Sequence, residues 1–355
     1  MTAPRTVTPG DVGLAELTAW VGGRAAAVDR DEADVREALA RLGERDLLGI
    51  GAPADGDGRF AEFAELVAAL AGECLSTAFS LWGHHMVIEY LARADTGFAA
   101  GLLPGLRAGR PVGSSAMAPA LRDLAGLEPL PVIATPAPGG FLLDGPIRWA
   151  SNLYEDAVIV LPARTEDGDR LIVTVRAGTP GLTIAPAPRL LALNATASSS
   201  ARLDGVFVPD EAVVTRDFAS FVQSVRPFFL LTQTAFCLGL AAASLRFAGE
   251  AEGTAAAALA PGIGETGDRY GRARDRFTAL IRPGADRDSA AELLRLRLEA
   301  AEVAQAATRL ELAVRGGAGF AMSSPTCRRF REAAFLPVQA PTEGQLRWEI
   351  QRFAS

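Results

Sequence analysis

The chain has 355 residues, 49% of them hydrophobic and 22% charged, and is long enough to bury a large core in two or three structural units. All 35 basic residues are arginine and the net charge is −7, which excludes lysine-dependent Schiff-base and P-loop chemistry and argues against nucleic-acid binding. The apolar stretches are short, and no basic segment followed by an apolar run opens the chain, so we expect no membrane span and no signal peptide.

Cysteine and histidine usage narrows the chemistry further. Cys74, Cys237 and Cys327 lie far apart and show neither disulfide-framework nor zinc-ligand spacing, which indicates a reducing, cytoplasmic location. The two histidines, His84 and His85, are adjacent, and no Gly-x-Ser-x-Gly motif accompanies them. A Ser-His-Asp hydrolase is therefore not favoured.

The first part of the chain has helical periodicity. Val35, Leu39 and Leu42 recur at i, i+4 and i+7, and residues 60–70 repeat this apolar stripe. Leu75–Ala92 continues as a mostly apolar helix that we expect to be buried. Adjacent residues on a helix point about 100° apart, so at most one of the two histidines on it can face a ligand. The alternative is that both are core or surface residues.

From about residue 112 the pattern changes to short β-branched or apolar runs. Clusters of Gly, Pro and Asp, such as residues 166–169, separate these runs. Several short strands without intervening helices predict an antiparallel sheet or small barrel. The predicted strands are residues 141–143, 157–161, 171–175, 182–184 and 206–208.

Helical periodicity returns at residue 218. Residues 228–248, 270–280 and 290–314 are predicted helices, and the last begins with Ser289-x-x-Glu292, a capping-box pattern. The order of helices, strands and helices predicts an α+β protein. It divides into an N-terminal helical domain (1–111), a middle antiparallel β domain (112–217) and a C-terminal helical bundle (218–355).

Four local motifs, in chain order, resemble the acyl-CoA dehydrogenase family. Residues 144–152 begin with Asp-Gly, end with Trp-Ala-Ser-Asn, and are similar to the family's Asn-Gly and Trp-Ile-Thr-Asn signature. Residues 179–182 (Thr-Pro-Gly-Leu) and 206–209 (Val-Phe-Val-Pro) resemble its Thr-Pro-Gly-Ile/Val and Val-x-Val-Pro steps. Residues 316–320 (Gly-Gly-Ala-Gly-Phe) resemble its Gly-Gly-x-Gly-Phe turn. The resemblance implies the three-part fold of that family.

The resemblance also implies FAD as the cofactor. Trp149 would pack against the isoalloxazine, and Ser151, which stands where the family has threonine, would hydrogen-bond the ring. Met117 opens the segment that corresponds to the family's flavin and substrate loop, Thr-Glu-Pro-x-x-Gly-Ser-Asp. From the residues alone, the alternative is that Trp149 is a core strand residue and Ser151 a turn residue. The rest of the flavin would be contacted by Gly316, Gly317 and Thr342.

Three departures from the family pattern predict a weakened flavin site. Ala118 replaces the glutamate of the flavin loop, and Ala313 replaces a glutamine before the Gly-Gly turn. Residues 260–264 (Ala-Pro-Gly-Ile-Gly) replace an Arg-x-x-Phe-Gly segment, expected between two helices, whose arginine reaches the flavin pyrophosphate of a neighbouring subunit. An arginine on the next helix either restores this contact or belongs to a solvated face; the candidates are Arg269, Arg272 and Arg274.

The catalytic carboxylate of the family is missing at both of its usual positions. A gapless alignment of the C-terminal segment, which also matches Arg331, places Ala340 where the family has the glutamate that removes the substrate α-proton. The other position, used by branched-chain and long-chain relatives, is Val225. A three-residue shift would instead place Glu343 there, and the alternative is that Glu343 is an exposed acid. Weaker candidates are His84, His85, Tyr90, Tyr154 and Asp123.

The resemblance therefore predicts a flavin-dependent oxidoreductase acting on an acyl thioester that CoA or an acyl carrier protein delivers. One alternative is a reduced-flavin monooxygenase of the same fold, because oxygen chemistry needs no α-proton abstraction. Another is a degenerate, non-catalytic subunit of a heteromeric dehydrogenase. The oligomeric states usual in the family imply a homodimer or homotetramer, or a heteromer. We expect no nucleic-acid or membrane partner.

Overall fold

The structure, a computed structural model, describes residues 9–52, 58–287 and 289–353, so residues 1–8, 53–57, 288 and 354–355 of the predicted domain ranges lie outside it. Five helices come first: α1 (Pro9–Asp29), α2 (Arg36–Gly43), α3 (Phe60–Glu73), α4 (Leu75–Ala92) and α5 (Gly97–Arg107). Helices α2, α3 and α5 bury part of their surface, whereas α4 is buried on all sides, as its apolar composition predicts. The helix predicted over residues 75–92 is confirmed with the same bounds.

The middle of the chain forms an eight-stranded sheet with one short helix, α6 (Ala118–Leu124). The strand order is β6-β7-β3-β2-β4-β5-β8, and β1 pairs with β4 off this path. The pairings of β1 and β2 with β4 are parallel, and the others are antiparallel. The strands are β1 (Gly113–Ser115), β2 (Ile133–Ala137), β3 (Gly140–Ala150), β4 (Val158–Arg164), β5 (Arg170–Arg176), β6 (Leu182–Ile184), β7 (Ser199–Pro209) and β8 (Val213–Thr215).

Strand β4 joins the sheet to both hydrophobic cores. Val158 and Val160 pack into a core made mostly of helices, whereas Ile159 and Leu161 pack into a second core within the sheet domain. Successive side chains on a strand point to opposite faces, so a strand buried on both faces is apolar throughout. This explains the continuous apolar run at this point of the sequence.

Five helices follow the sheet, and α7 lies at their centre. Gly239 of α7 approaches the backbone of α3 so closely that a Cβ atom there would lie 2.0 Å from the carbonyl oxygen of Ala68. N-terminal and C-terminal helices share one core, so the two helical ranges are packed as one body. The helices are α7 (Phe218–Gly249), α8 (Thr254–Ile281), α9 (Ala290–Phe320), α10 (Pro325–Ala333) and α11 (Glu343–Arg352).

Helix α7 is the one helix among the described residues that is long and apolar enough to span a membrane. However, 83% of its most apolar window is buried inside the protein. Its apolar surface packs against α3, α8 and α9. Burial within a helical bundle therefore accounts for its composition.

Helix α8 corrects one prediction. Residues 260–264 are predicted to separate two helices, but they lie inside α8, which continues through Pro261. Proline usually ends a helix because it lacks an N–H donor. Here α8 packs against α7 and α9, mainly through residues after the proline, and this packing overrides the local preference.

Candidate active site

A cavity of about 520 Å³ lies where α4, the end of β3, α7 and residues 334–340 meet. Its volume falls within the range of about 300–1,000 Å³ that is usual for small-molecule sites. Helices from both ends of the chain and the sheet domain all contribute to its walls. The three-part fold is therefore what assembles the cavity.

One wall of the cavity is aromatic. Phe79 and Trp82 lie three residues apart on α4, so they share a face of the helix, and their rings stack at 5.3 Å. Phe229 of α7 packs edge-on against Trp82 at 4.9 Å, and Phe335 packs edge-on against Phe79 at the same distance. These packed rings keep water from this side of the cavity.

Another part of the lining carries two of the predicted flavin contacts, Trp149 and Ser151. Trp149, the second-to-last residue of β3, is 46% exposed and therefore not part of the core. The hydroxyl oxygens of Ser151 and Ser198 are 2.5 Å apart, and Thr196 Oγ1 is 2.7 Å from that of Ser198. An open indole face thus stands beside a chain of hydroxyl groups.

Asn152 fixes the backbone that presents these side chains. It is fully buried with φ of 58°, a left-handed conformation that asparagine tolerates better than most residues. Its side-chain amide donates to the carbonyl oxygens of Ser80 on α4 (2.9 Å) and Gly113 on β1 (3.1 Å). The motif asparagine therefore ties the end of β3 to two other walls of the site.

Ala340 lines the cavity at the position where the gapless alignment places the family glutamate. The side chain of Gln233, on α7, donates to the Ala340 carbonyl oxygen at 2.9 Å and fixes this backbone. Val225, at the second family position, is buried and does not line the cavity. No Asp or Glu occurs among the described residues that line the cavity.

The other predicted flavin contacts do not line this cavity. Met117 is buried at the start of α6, beside Ala118, which does line it. Thr342 caps α11 by accepting a hydrogen bond from the Gln345 amide. Gly316 has φ of 58° and kinks α9, which continues through the predicted turn at Gly316 and Gly317. Their assignment to the flavin stays a prediction.

Glu343 also lies outside the cavity lining. It occupies the first turn of α11, where an acidic side chain interacts favourably with the helix dipole. Its carboxylate pairs with Arg347 one turn later at 2.8 Å, and Arg347 also pairs with Glu302. This geometry gives Glu343 a structural partner outside the site.

Both histidines are buried within the helical core and do not line the cavity. His84 Nδ1 accepts a hydrogen bond from the Gly113 amide, and Nε2 donates to the Leu106 carbonyl oxygen. Burial lowers the pKa of His84 to about 4, so it is neutral at pH 7. His85 stacks on Phe63 at 3.6 Å. Their contacts are structural.

The remaining candidates also have structural partners. Asp123 pairs with Arg170 at 2.7 Å. The Tyr90 hydroxyl lies 3.3 Å from Ser115 Oγ. The Tyr154 hydroxyl donates to the Ala195 carbonyl oxygen at 3.4 Å. On α8, the proposed replacement arginines Arg269 and Arg274 pair with Glu302 and Glu65.

A buried group that the motifs do not reveal lies directly behind Ala340. Arg297 of α9 is fully buried and donates to the Gln233 side chain at 3.0 Å and to the Gln339 side chain at 2.8 Å. These glutamines are 64 and 42 residues away in sequence. The sequence pattern that could have revealed Arg297 is its position on the apolar stripe of α9, four residues after Leu293.

Helices at both ends, a central mixed sheet and an apolar cavity between them define the acyl-CoA dehydrogenase fold, as the motifs predict. Butyryl-CoA dehydrogenase from Megasphaera elsdenii matches with a TM-score of 0.84 and 16% identity, over 99% of this chain and 99% of that chain. PigA with FAD and proline matches with a TM-score of 0.80 and 17% identity, over 99% of each chain.

A third solved structure has somewhat higher sequence identity. FkbI, for biosynthesis of the methoxymalonyl extender unit of the FK520 polyketide immunosuppressant, is 22% identical with a TM-score of 0.75, over 96% of this chain and 98% of that chain. The sequence matches no protein-family model and no curated protein. These similarities establish the fold, and the chemistry must be argued from the site.

Proposed function

We propose that this protein is a flavin-dependent oxidoreductase that binds FAD and accepts an acyl thioester, carried by CoA or an acyl carrier protein. The observation that carries the proposal is one cavity joining the exposed Trp149 indole and the Ser151–Ser198 hydroxyl pair to an aromatic wall. The printed names of the neighbours support it, because one is a butyryl-CoA dehydrogenase and another is described with FAD.

The residues beside Trp149 fit a flavin ring. An indole face packs against an isoalloxazine, and Ser151 or Ser198 can donate a hydroxyl proton to its polar edge. A bound flavin would supply the two-electron chemistry that amino-acid side chains lack. The protein's part is to hold the ring beside the aromatic wall and to exclude water from the space between them.

The acyl chain would lie against the aromatic wall formed by Phe79, Trp82, Phe229 and Phe335. These rings offer apolar contact to a hydrocarbon chain. Ala340, held by Gln233, would face the same space. Alanine cannot take a proton, and no Asp or Glu occurs among the described residues that line the cavity. The described cavity residues therefore provide no carboxylate base for removal of the α-proton.

That missing carboxylate favours a second candidate function, a reduced-flavin monooxygenase, which needs no α-proton abstraction. Oxygen-dependent product formation in the presence of a separate flavin reductase would distinguish it from a dehydrogenase. The visible absorption spectrum of the purified protein tests both candidates together. A colourless protein that binds no added FAD would contradict both and support a degenerate subunit.

Replacing Trp149 by leucine is expected to raise the dissociation constant for FAD by about 3- to 10-fold. An aromatic pair contributes about 0.5–1.5 kcal/mol beyond the area it buries, and leucine retains only apolar contact. Fluorescence titration of FAD into flavin-free protein measures the change. The matched control is Trp348→Leu, because Trp348 lies on α11 outside the cavity and contacts Arg352. Equal effects of the two substitutions would contradict the assignment of Trp149.

Substituting Glu343 by glutamine is expected to leave substrate-dependent flavin reduction unchanged, because its carboxylate pairs with Arg347 outside the cavity lining. Stopped-flow absorbance of the holoprotein with an acyl thioester provides the measurement. Complete loss of flavin reduction in Glu343→Gln, with normal FAD content, would instead identify Glu343 as the base that the shifted alignment predicts.

A further inference from the structure

The cavity lining combines an absence of acidic groups with an excess of hydrogen-bond donors. Two side chains that line it have an N–H group with no hydrogen-bond partner among the described residues: Trp82 Nε1 and Gln339 Nε2. Their side chains are more than nine-tenths buried. A buried donor without an acceptor is destabilising, so these groups favour a ligand that supplies acceptors.

Arg297 adds positive charge behind the same wall. It is fully buried, and it forms no ion pair with a carboxylate of the described residues. Its partners are the neutral side chains of Gln233 and Gln339 and the carbonyl oxygen of Leu336. A buried charge is strongly disfavoured without a compensating opposite charge, and a negatively charged ligand in the cavity would provide one.

The contact with Arg297 also determines the orientation of the Gln339 side-chain amide, that is, which way its oxygen and its nitrogen point. A guanidinium group only donates hydrogen bonds, so the Gln339 atom that faces Arg297 at 2.8 Å must be the oxygen. The Nε2 group then points away from Arg297. Gln339 itself lines the cavity, and its Nε2 group is left as a buried donor without an acceptor among the described residues.

Trp82 lines the same cavity. Its ring packs against Phe236, and the Arg297 guanidinium lies 5.9 Å from the centroid of that same Phe236 ring. Phe229 and Phe335 complete an apolar surface with few competing polar groups. In such an environment, charge-assisted hydrogen bonds are stronger than they are in water.

We propose that Trp82 and Gln339, with Arg297 behind them, bind a carboxylate on the acyl group of the substrate. The protein would then prefer an acyl thioester whose chain ends in a carboxylate over one with a hydrocarbon end. The inference rests on the proposed function only in taking the ligand to be an acyl thioester. The carboxylate oxygens accept hydrogen bonds from the free N–H groups, and the negative charge of the carboxylate compensates the positive charge of Arg297.

Isothermal titration calorimetry with two isosteric ligands tests this preference in the purified protein. Succinyl-pantetheine ends in a carboxylate, whereas isocaproyl-pantetheine has two methyl groups at the same place. A hydrogen bond to a charged group corresponds to about a 10- to 100-fold change in affinity. We expect the succinyl ligand to bind at least about 10-fold more tightly. Equal affinities, or a preference for the isocaproyl ligand, would overturn the proposal.

Two variants identify the residues responsible. Trp82→Phe removes one donor and keeps an aromatic ring, and it is expected to reduce the preference about 10-fold with little change in isocaproyl affinity. Because Nε1 has no partner among the described residues, a purely structural role of Trp82 would not produce this selective loss. Arg297→Met is expected to abolish the preference. Retention of the full preference by Trp82→Phe contradicts the proposal even if Arg297→Met fails to fold.

A matched control and the flavin content separate this inference from the proposed function. Arg295→Met changes an exposed arginine on the same helix and is expected to keep the preference. The absorption spectrum is recorded on each titrated sample. A flavin-containing protein without the preference refutes the carboxylate site alone. A protein that binds no FAD but shows the preference refutes the proposed redox function alone.

Discussion

Replacing Arg329 by methionine is expected to lower the free energy of unfolding by about 3–5 kcal/mol. Arg329 of α10 binds Glu311 of α9 through two hydrogen bonds, at 2.9 and 2.5 Å, and Thr326 donates a third to the same carboxylate at 2.6 Å. The Glu311 side chain is fully buried. Removing the arginine leaves that carboxylate buried without its countercharge, which is the source of the large effect.

The effect of Arg329→Met should depend on pH. Burial of Glu311 disfavours its ionised form, but the hydrogen bonds from Arg329 and Thr326 outweigh burial and hold the pKa of Glu311 below its ordinary value of 4.5. A carboxylate with a lowered folded-state pKa stabilises the protein above its unfolded pKa, and this contribution is lost as pH falls through the folded pKa. The difference between wild type and Arg329→Met should therefore be largest near pH 7 and shrink in acid.

Urea denaturation at several pH values measures this difference, and a double variant provides the control. Glu311→Met combined with Arg329→Met removes both charges, so most of the lost stability should return. Arg30→Met breaks the exposed pair with Glu32 and should leave the denaturation midpoint almost unchanged. A double variant no more stable than Arg329→Met would show that packing, rather than the unpaired charge, causes the loss.

This ion pair also bears on the cavity. Helix α10 leads directly into residues 334–340, which carry Phe335, Gln339 and Ala340 into the lining. Arg331, on the same helix, pairs with Asp29 of α1 and donates to the Leu191 carbonyl oxygen. Buried charge pairs therefore hold α10 against α9 and α1, and a hydrogen bond to a backbone carbonyl joins it to a third segment. Their loss should reduce ligand binding as well as stability.

Local sequence signals predict the elements that have strong periodicity. Leu75–Ala92 is apolar enough to be recognised with its full length, and all five predicted strands overlap observed ones, although the strand predicted over residues 157–161 begins one residue before β4. The strands that the sequence misses are β1, β2 and β8. Of these, β1 is Gly-Ser-Ser and β2 contains a proline, so neither has the β-branched alternation that marks a strand. Their pairing with longer strands supplies what their composition lacks.

The candidate site divides in the same way. Trp149 and Ser151 occur in one short motif, so the sequence identifies them, and the structure places both in the cavity lining. The Gln233, Arg297 and Gln339 cluster comes from α7, α9 and the segment after α10. No local pattern connects positions so far apart, and only the packing of the helices brings them together. The positions of these hydrogen-bond donors therefore depend on the packing of the helices and not on a local sequence motif.

Introducing glutamate at position 340 is expected to accelerate flavin reduction by an acyl thioester about 100- to 10,000-fold, the usual contribution of a general base. Ala340 lines a cavity of about 520 Å³, which leaves room for a longer side chain. The backbone there is held by a hydrogen bond from Gln233 to the Ala340 carbonyl oxygen, which the substitution leaves in place. A carboxylate would thus enter a site prepared for the substrate.

Ala340→Gln is the matched control, because glutamine has nearly the same shape as glutamate and cannot act as a general base at pH 7. Anaerobic stopped-flow absorbance of the holoprotein with butyryl-pantetheine measures the rate of flavin reduction in both variants. Only the ionised carboxylate can take the α-proton, and an apolar cavity raises the pKa of a carboxyl group. The rate in Ala340→Glu should therefore increase with pH, whereas the rate in Ala340→Gln should not.

The comparison of these two variants separates a missing base from an unsuitable site. Faster flavin reduction by Ala340→Glu alone would mean that the cavity still positions an acyl thioester against the flavin and lacks only the carboxylate. Equal rates, with FAD bound in both proteins, would mean that the cavity does not place the α-carbon within reach of position 340. In that case the acyl dehydrogenase proposal fails, and the monooxygenase candidate, which requires no base there, would be favoured.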